Sequence, residues 1–319
     1  MKTSLLLIGV LITMLITSIT ASLYSSIIVY AHTFSENENA LFLTLVHQIE
    51  AQTLLAQNNI SINPKLAEQH ANNAISLINQ NDPVVNLTWA SQISESNPRI
   101  AAQLTSALNS LKNATSTSTA AVPTNDIKTK VDRISGLLGE AVSSRLSRTI
   151  LNNSTTQASV LANLANEVYF SYGRAFGESP SSMSNMAGMA MSVKEASSSM
   201  NMSSMTTSHD MNIGNNTGMS SSMAMGNTNS GSNNAIKNIT EYQTAQALTN
   251  IAKDVFNKNL KTKAPTALKG ANTEIENDLT QLNAAIDNKA PFMDINKIVH
   301  TQLHPTLITA YHLQLQSFQ

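Results

Sequence analysis

Cysteine does not occur anywhere in the 319 residues. Its absence excludes disulfide cross-links, thiolate zinc sites, iron–sulfur clusters and blue-copper centres, all of which need the thiol. Any soft-metal chemistry must then use thioethers and imidazoles. Charge is scarce as well: Asp, Glu, Lys and Arg make up 12% of the chain and the formal net charge is −1. No global field would draw in nucleic acid or an anionic membrane. With 7 Phe, 6 Tyr and 1 Trp there is little from which to build a base-stacking surface. Nucleic acid is set aside as a partner. Gly-x-Ser-x-Gly, the phosphate-binding Gly-x-x-x-x-Gly-Lys-Ser/Thr, His-Glu-x-x-His and Gly-x-Gly-x-x-Gly are also missing. So are the paired Glu-x-x-His signatures of carboxylate di-iron bundles. The expectation is a protein that is not an enzyme, the alternative being a mononuclear copper enzyme built from His32 and core histidines.

What is present begins with an apolar leader. After Lys2 no Asp, Glu, Lys or Arg appears until Glu36, and Leu5–Ile16 is a hydrophobic run behind a positive charge. That is the pattern of a secretory signal, with Val29 and Ala31 of Val29-Tyr30-Ala31 as the small residues at the right offsets for cleavage before His32. The span Leu5–Ala31 is also long enough to cross a ~30 Å hydrocarbon core as an uncleaved anchor. Residues 1–31 read as one or the other. Both place the remainder outside the cytoplasm, and membrane contact is expected only through an uncleaved leader.

The rest of the chain is punctuated as an all-α protein of antiparallel helical bundles. Asn63-Pro64, Asp82-Pro83 and Asn97-Pro98 each put a capping side chain before a proline suited to the first helical position. Apolar residues recur at helical spacing in Ile127, Val131, Ile134, Leu138, Ala141, Val142 and Leu146. The same spacing runs through Leu161, Ala165, Val168, Tyr172 and Phe176, then Leu248, Ile251, Val255 and Phe256, then Ile275, Leu279, Leu282 and Ile286. No stretch alternates with period two between hairpin turns. About eight or nine helices are expected. Residues 32–113 form an N-terminal helical region, 114–125 a linker around Pro123, and 126–177 with 239–319 a second bundle. Between its halves, 178–238 is a disordered insert of Met, Ser and Asn. From Glu178 to Asn234 it contains no Leu or Phe, so it cannot bury enough apolar surface to fold alone.

Eleven of the 14 methionines fall in this insert. They are Met183, Met186, Met189 and Met191, then Met200, Met202 and Met205, then Met211 beside His209, then Met219, Met223 and Met225. A thioether is soft, neutral and needs no deprotonation, so it selects Cu(I) over Zn, Mg or Ca. Separations of two or three residues let one flexible segment wrap several sulfurs around a single ion. An oxidant-scavenging spacer is the competing use of the same side chains.

These clusters resemble the Met-x-x-Met and Met-x-Met motifs of extracytoplasmic copper-handling proteins, such as copper transporter ectodomains and periplasmic copper-resistance proteins. The whole chain also resembles secreted helical proteins of ammonia-oxidising archaea, with its Ala-His-x-Phe-Ser start at Ala31–Ser35 and its Met-rich middle. The resemblance implies a copper-dependent physiology, with copper as cargo and another copper-handling protein as partner.

The seven histidines supply harder nitrogen ligands. At helical spacing His47 joins the stripe of Ala40, Leu43, Ala51 and Leu54, and His70 that of Leu66, Ala67, Ala74 and Leu77. His300 and His304 are one turn apart, an arrangement that offers two imidazoles to one metal. If these helices met, His47, His70, His300 and His304 would form a site for Cu(II) or Zn. Pro305 counts against it by kinking or restarting that helix. Cleavage before His32 would add an N-terminal amine–imidazole chelate, as in copper-brace proteins. The expected function is extracytoplasmic copper buffering or delivery. The alternative is a cell-surface structural or interaction protein with a scavenging spacer.

Overall fold

The structure is a computed structural model that describes residues 38–83, 86–116, 124–179, 181–183, 235–263 and 265–313. These residues are all-α, with one isolated bridge between Asn81 and Thr88. The described helices are α1 (Glu38–Asn59), α2 (Pro64–Asn79), α3 (Trp89–Ser96), α4 (Pro98–Ser116), α5 (Thr124–Arg145), α6 (Arg148–Leu151) and α7 (Ser154–Phe176). After the insert come α8 (Ile239–Val255), α9 (Lys269–Asp287), α10 (Phe292–Asn296) and α11 (His304–Tyr311). Two wider, π-helical turns extend the list: Phe256–Lys261 continues α8, and Lys297–Leu303 joins α10 to α11. The apolar side chains of both sequence groups belong to one contiguous core.

Local chemistry explains most boundaries. Asn63 Oδ1 accepts the Leu66 N–H at 3.2 Å, and Asn97 Oδ1 accepts that of Ile100 at 3.2 Å, each with proline next in line. Asp82-Pro83 does not start a helix. The Asp82 carboxylate is buried and takes a hydrogen bond from Gln92 Nε2 at 2.8 Å, so it is unable to cap; α3 begins later, behind Thr88. Asn153 and Asn238 cap α7 and α8. α7 stops at Gly177, whose φ of +84° is the left-handed geometry glycine adopts most easily, and Glu178 N–H closes back on the Gly173 carbonyl at 2.9 Å.

Helix α7 is the axis of the bundle. It packs most extensively on α8, and also on α1 and the C-terminal segment. The α7–α8 pair is antiparallel: Gln157, early in α7, accepts from Asn259 beyond α8, while Arg174 at the far end pairs with Glu241. α8 and α9 are antiparallel too, joined by Tyr242 to the Ile286 carbonyl at one end and Lys261 to Glu276 at the other. On the opposite side of α1, α2 packs on α4 and α4 on α5. Arg145 of α5 reaches Glu38 and lies over the Phe42 ring, 4.7 Å from its centroid. The predicted stripe on α5 is the buried one, with Ile127, Ile134 and Leu138 fully enclosed. Each such side chain contributes roughly 1.5–3 kcal/mol relative to an exposed one.

Candidate functional site

The C-terminal segment from Phe292 to Tyr311 carries the histidine pair. Asn296, His300 and His304 recur every four residues, so they share a face, and all three are buried. Pro305 does not break the helix, and the π-helical turn is the reason. Proline lacks an N–H and its ring crowds the carbonyl four residues back. In the wider turn His304 N–H bonds to the Val299 carbonyl, five residues earlier.

The His300 and His304 rings lie 5.1 Å apart, centroid to centroid, inclined by 76°. Two imidazoles bound to one ion at ~2 Å per metal–nitrogen bond place their ring centres about 5 Å apart at a tetrahedral angle. His304 Nε2 is 3.2 Å from the Ala162 carbonyl oxygen, so Nε2 bears the hydrogen and donates it. That leaves the lone pair on Nδ1, and an imidazole that gives its second N–H to a carbonyl is in the state metal-ligating histidines adopt. His300 stands edge-on to Tyr169 at 4.7 Å, and Tyr169 stacks on Phe292 at 4.8 Å. Among the described residues nothing hydrogen-bonds to the buried Asn296 Oδ1 atom.

The other face of Tyr169's environment belongs to the start of the insert. Its hydroxyl donates to the Met183 carbonyl at 2.8 Å, and burial raises its pKa well above the ordinary phenol value. The Met183 side chain is enclosed, with its sulfur lying where a Cβ on Gly173 would be. Met183 is therefore a core residue rather than a member of an open ligand cluster, a correction to the sequence reading. Gly173 is what makes room for it. The remaining candidates of the insert, Met186 through Met225 and His209, lie outside the described residues, as does His32.

His47 and His70 do not join the pair. Among the described residues no group of three or more His, Asp or Glu side chains is placed to hold a metal, so the four-imidazole site is not assembled. His47 lies midway along α1, partly exposed, where Nδ1 meets Glu50 Oε2 at 3.0 Å. His70 is fully buried between amides: Nδ1 faces Gln52 Oε1 at 2.7 Å and Nε2 faces Gln243 Oε1 at 2.9 Å. Desolvation lowers its pKa, against the raising effects of the Gln243 contact and the Glu241 charge. Gln52 also donates to Thr244, and Asn59 to Gln243, so one polar layer ties α1, α2 and α8 together. His312 ends α11 in an exposed left-handed position.

Two features escaped the sequence reading. Glu167 of α7 is buried, and desolvation raises its pKa to about 7 despite nearby Arg174. A surface groove of about 610 Å³ runs between α1 and α8, lined by Asn58, Gln246, Asn250 and Asn257 with Leu54 and Ile62. No protein family, curated protein or solved structure matches the chain.

Proposed function

We propose that the protein binds copper outside the cytoplasm, buffering it or handing it to another copper-handling protein. The single observation that carries this reading is the concentration of eleven methionines in a segment with almost no other apolar side chain. Apart from Met183, which the bundle encloses, these thioethers belong to a stretch with too few other apolar side chains to form a core of its own, and they favour Cu(I). The histidine pair supports it: His300 and His304 have the separation for two imidazoles on one ion, which suits Cu(II) better than sulfur does. Tyr169 touches both parts, holding Met183 through its hydroxyl and His300 through its ring. The soft-ligand segment thus leaves the bundle beside the hard-ligand pair. The Leu5–Ala31 run supports export or anchoring. Among the described residues no helix is long and apolar enough to cross a membrane.

The test is competition for Cu(I) between the full chain and a chelator of known affinity. Stoichiometric uptake is expected, and it is lost when Met186–Met225 are replaced by Leu or Ser. Uptake that survives the replacement would remove the insert from the proposal, and no uptake would end it. The groove with exposed Leu54 and Ile62 favours a second reading, a cell-surface interaction protein whose methionines scavenge oxidants. In that case peroxide would oxidise the insert methionines while copper would not bind.

A further inference from the structure

Asn-x-Ser/Thr, the tripeptide whose asparagine accepts sugar in exported proteins, occurs eight times in the chain. Six copies lie among the described residues, beginning at Asn59, Asn86, Asn113, Asn152, Asn153 and Asn238. In a chain so rich in asparagine the tripeptide alone singles out none of them. Transfer needs a tripeptide that can stand off the surface as a bend. Its amide must be free to twist out of conjugation, and the hydroxyl two residues on must be accessible. A tripeptide wound into a helix meets these conditions only by unwinding it.

The fold withholds five of the six. Asn59 ends α1, buried, and gives Nδ2 to the Leu55 carbonyl at 2.8 Å and to Gln243 Oε1 at 3.0 Å. Asn113 lies within α4, and its Thr115 is buried with the hydroxyl on the Lys112 carbonyl at 2.8 Å. The tripeptides at Asn152 and Asn153 both run into α7, which Asn153 caps by accepting the Thr156 N–H at 2.9 Å. Asn238 caps α8, and its Thr240 is buried with the hydroxyl on Gln69 Oε1 at 2.8 Å.

Asn86-Leu87-Thr88 alone lies wholly outside the helices among the described residues, in the turn between α2 and α3. The Asn81–Thr88 bridge closes the turn at its base. The Asn86 N–H bonds to the Asp82 carbonyl at 2.9 Å, and the Asp82 N–H to the Leu87 carbonyl at 2.8 Å, so the chain is already bent. Asn86 is exposed at a φ of +55°, a left-handed conformation that asparagine tolerates. Its Oδ1 accepts from Asn81 Nδ2 at 3.2 Å, and among the described residues nothing takes a hydrogen from its own Nδ2. The Thr88 hydroxyl is at the surface, 2.7 Å from Ser91 Oγ. Leu87 between them is 41% exposed, an apolar surface that the C–H face of a sugar ring would cover.

We propose that Asn86 is a glycosylation site of the folded protein, supplied by a lipid-linked sugar phosphate. Its Nδ2 attacks the anomeric carbon, and the carbon–nitrogen bond forms as the carbon–oxygen bond to phosphate breaks. The lipid phosphate leaves, and one amide proton passes to a base of the transferase. The site needs the export proposed above and is independent of copper.

The folded full chain is incubated with a lipid-linked donor and an oligosaccharyltransferase that modifies free peptides spanning all six tripeptides. Site-resolved mass spectrometry should find Asn86 modified at close to the rate of its peptide. The other five should be slowed about a hundredfold or more, because each must first open locally. Thr88→Asn keeps a capping side chain on α3 and should abolish transfer to Asn86, while Thr88→Ser should retain it. An unmodified Asn86, or the other five modified as readily, overturns the proposal. The second measurement is the mass of the Asn86 peptide in protein taken from its own cells, after external protease has reached the chain. Sugar on that peptide is expected. A protease-accessible chain without it overturns this site alone, whereas a chain sealed from protease ends the export reading and the site with it.

Discussion

The hydroxyl of Tyr169 and the backbone carbonyl of Met183 are joined by a buried 2.8 Å hydrogen bond. It ties the chain a few residues beyond the end of α7, at the start of the methionine-rich segment, back to that helix. The same tyrosine ring supports His300, so its position sets both the root of the insert and one imidazole of the pair.

Tyr169→Phe keeps the ring and removes the donor. A buried carbonyl that loses its partner costs about 1–3 kcal/mol. Urea denaturation should show a loss of that size, and limited proteolysis should cut faster around residues 177–183. Unchanged stability and cleavage would mean that the bond does not anchor the segment.

Gly173→Ala tests the fit of Met183. The new Cβ would lie 2.3 Å from the Met183 sulfur and 3.0 Å from Phe292 Cε2. Overpacking of this kind costs ~1–3 kcal/mol. Truncating Met183 to Ala should recover part of the loss, because the sulfur is the nearest obstacle. A double-mutant cycle is expected to give a coupling of at least ~0.5 kcal/mol, and additive effects would place Met183 elsewhere.

The histidine pair makes a kinetic prediction. Both rings are enclosed, so Cu(II) reaches them only through local opening of the C-terminal segment. Under the copper reading, uptake by the full chain has a slow phase whose electron paramagnetic spectrum shows nitrogen coupling. His300→Gln with His304→Gln should abolish that phase and leave Cu(I) uptake by the insert unchanged. Nitrogen coupling that survives the double change would assign it to other residues.

The fold class was legible because helices advertise themselves locally, through caps at Asn63 and Asn97 and through the stripe from Ile127 to Leu146. Helix α7 shows where such reading fails. Its Gln157, Asn163, Asn166, Glu167 and Ser171 resemble a solvated face, yet they are buried because α1, α8 and the C-terminal segment enclose the helix on all sides. Periodicity reports which face is apolar and cannot report that the polar face is covered as well. The same limit hid Glu167, whose raised pKa comes chiefly from burial by helices distant in the chain. It also made His47 and His70 look like partners of His300 and His304. An inward direction on a helical wheel does not say which neighbour lies there, and for His70 the neighbours are Gln52 and Gln243. Pro305 was legible as a disturbance, while its resolution by a π-helical turn depends on packing.

Glu167 should also leave a mark on global stability. Its pKa rises from 4.5 to about 7 in the fold, chiefly because burial penalises the carboxylate. The folded state then holds the proton more tightly than the unfolded chain does. The resulting stabilisation is complete below about pH 4.5 and disappears as pH climbs through about 7, a change on the order of 3 kcal/mol. His70 acts in the opposite direction, since its lowered pKa gives stability that is present above 6.5 and is lost as pH falls through the folded value. Wild-type stability alone mixes the two, so the difference between Glu167→Gln and wild type is the quantity to follow. By urea denaturation that difference should grow in favour of the variant from pH 4.5 to 7 and then stay constant, because glutamine has no proton to lose. A difference independent of pH would show that the carboxyl has an ordinary pKa, and that Arg174 compensates its charge in full.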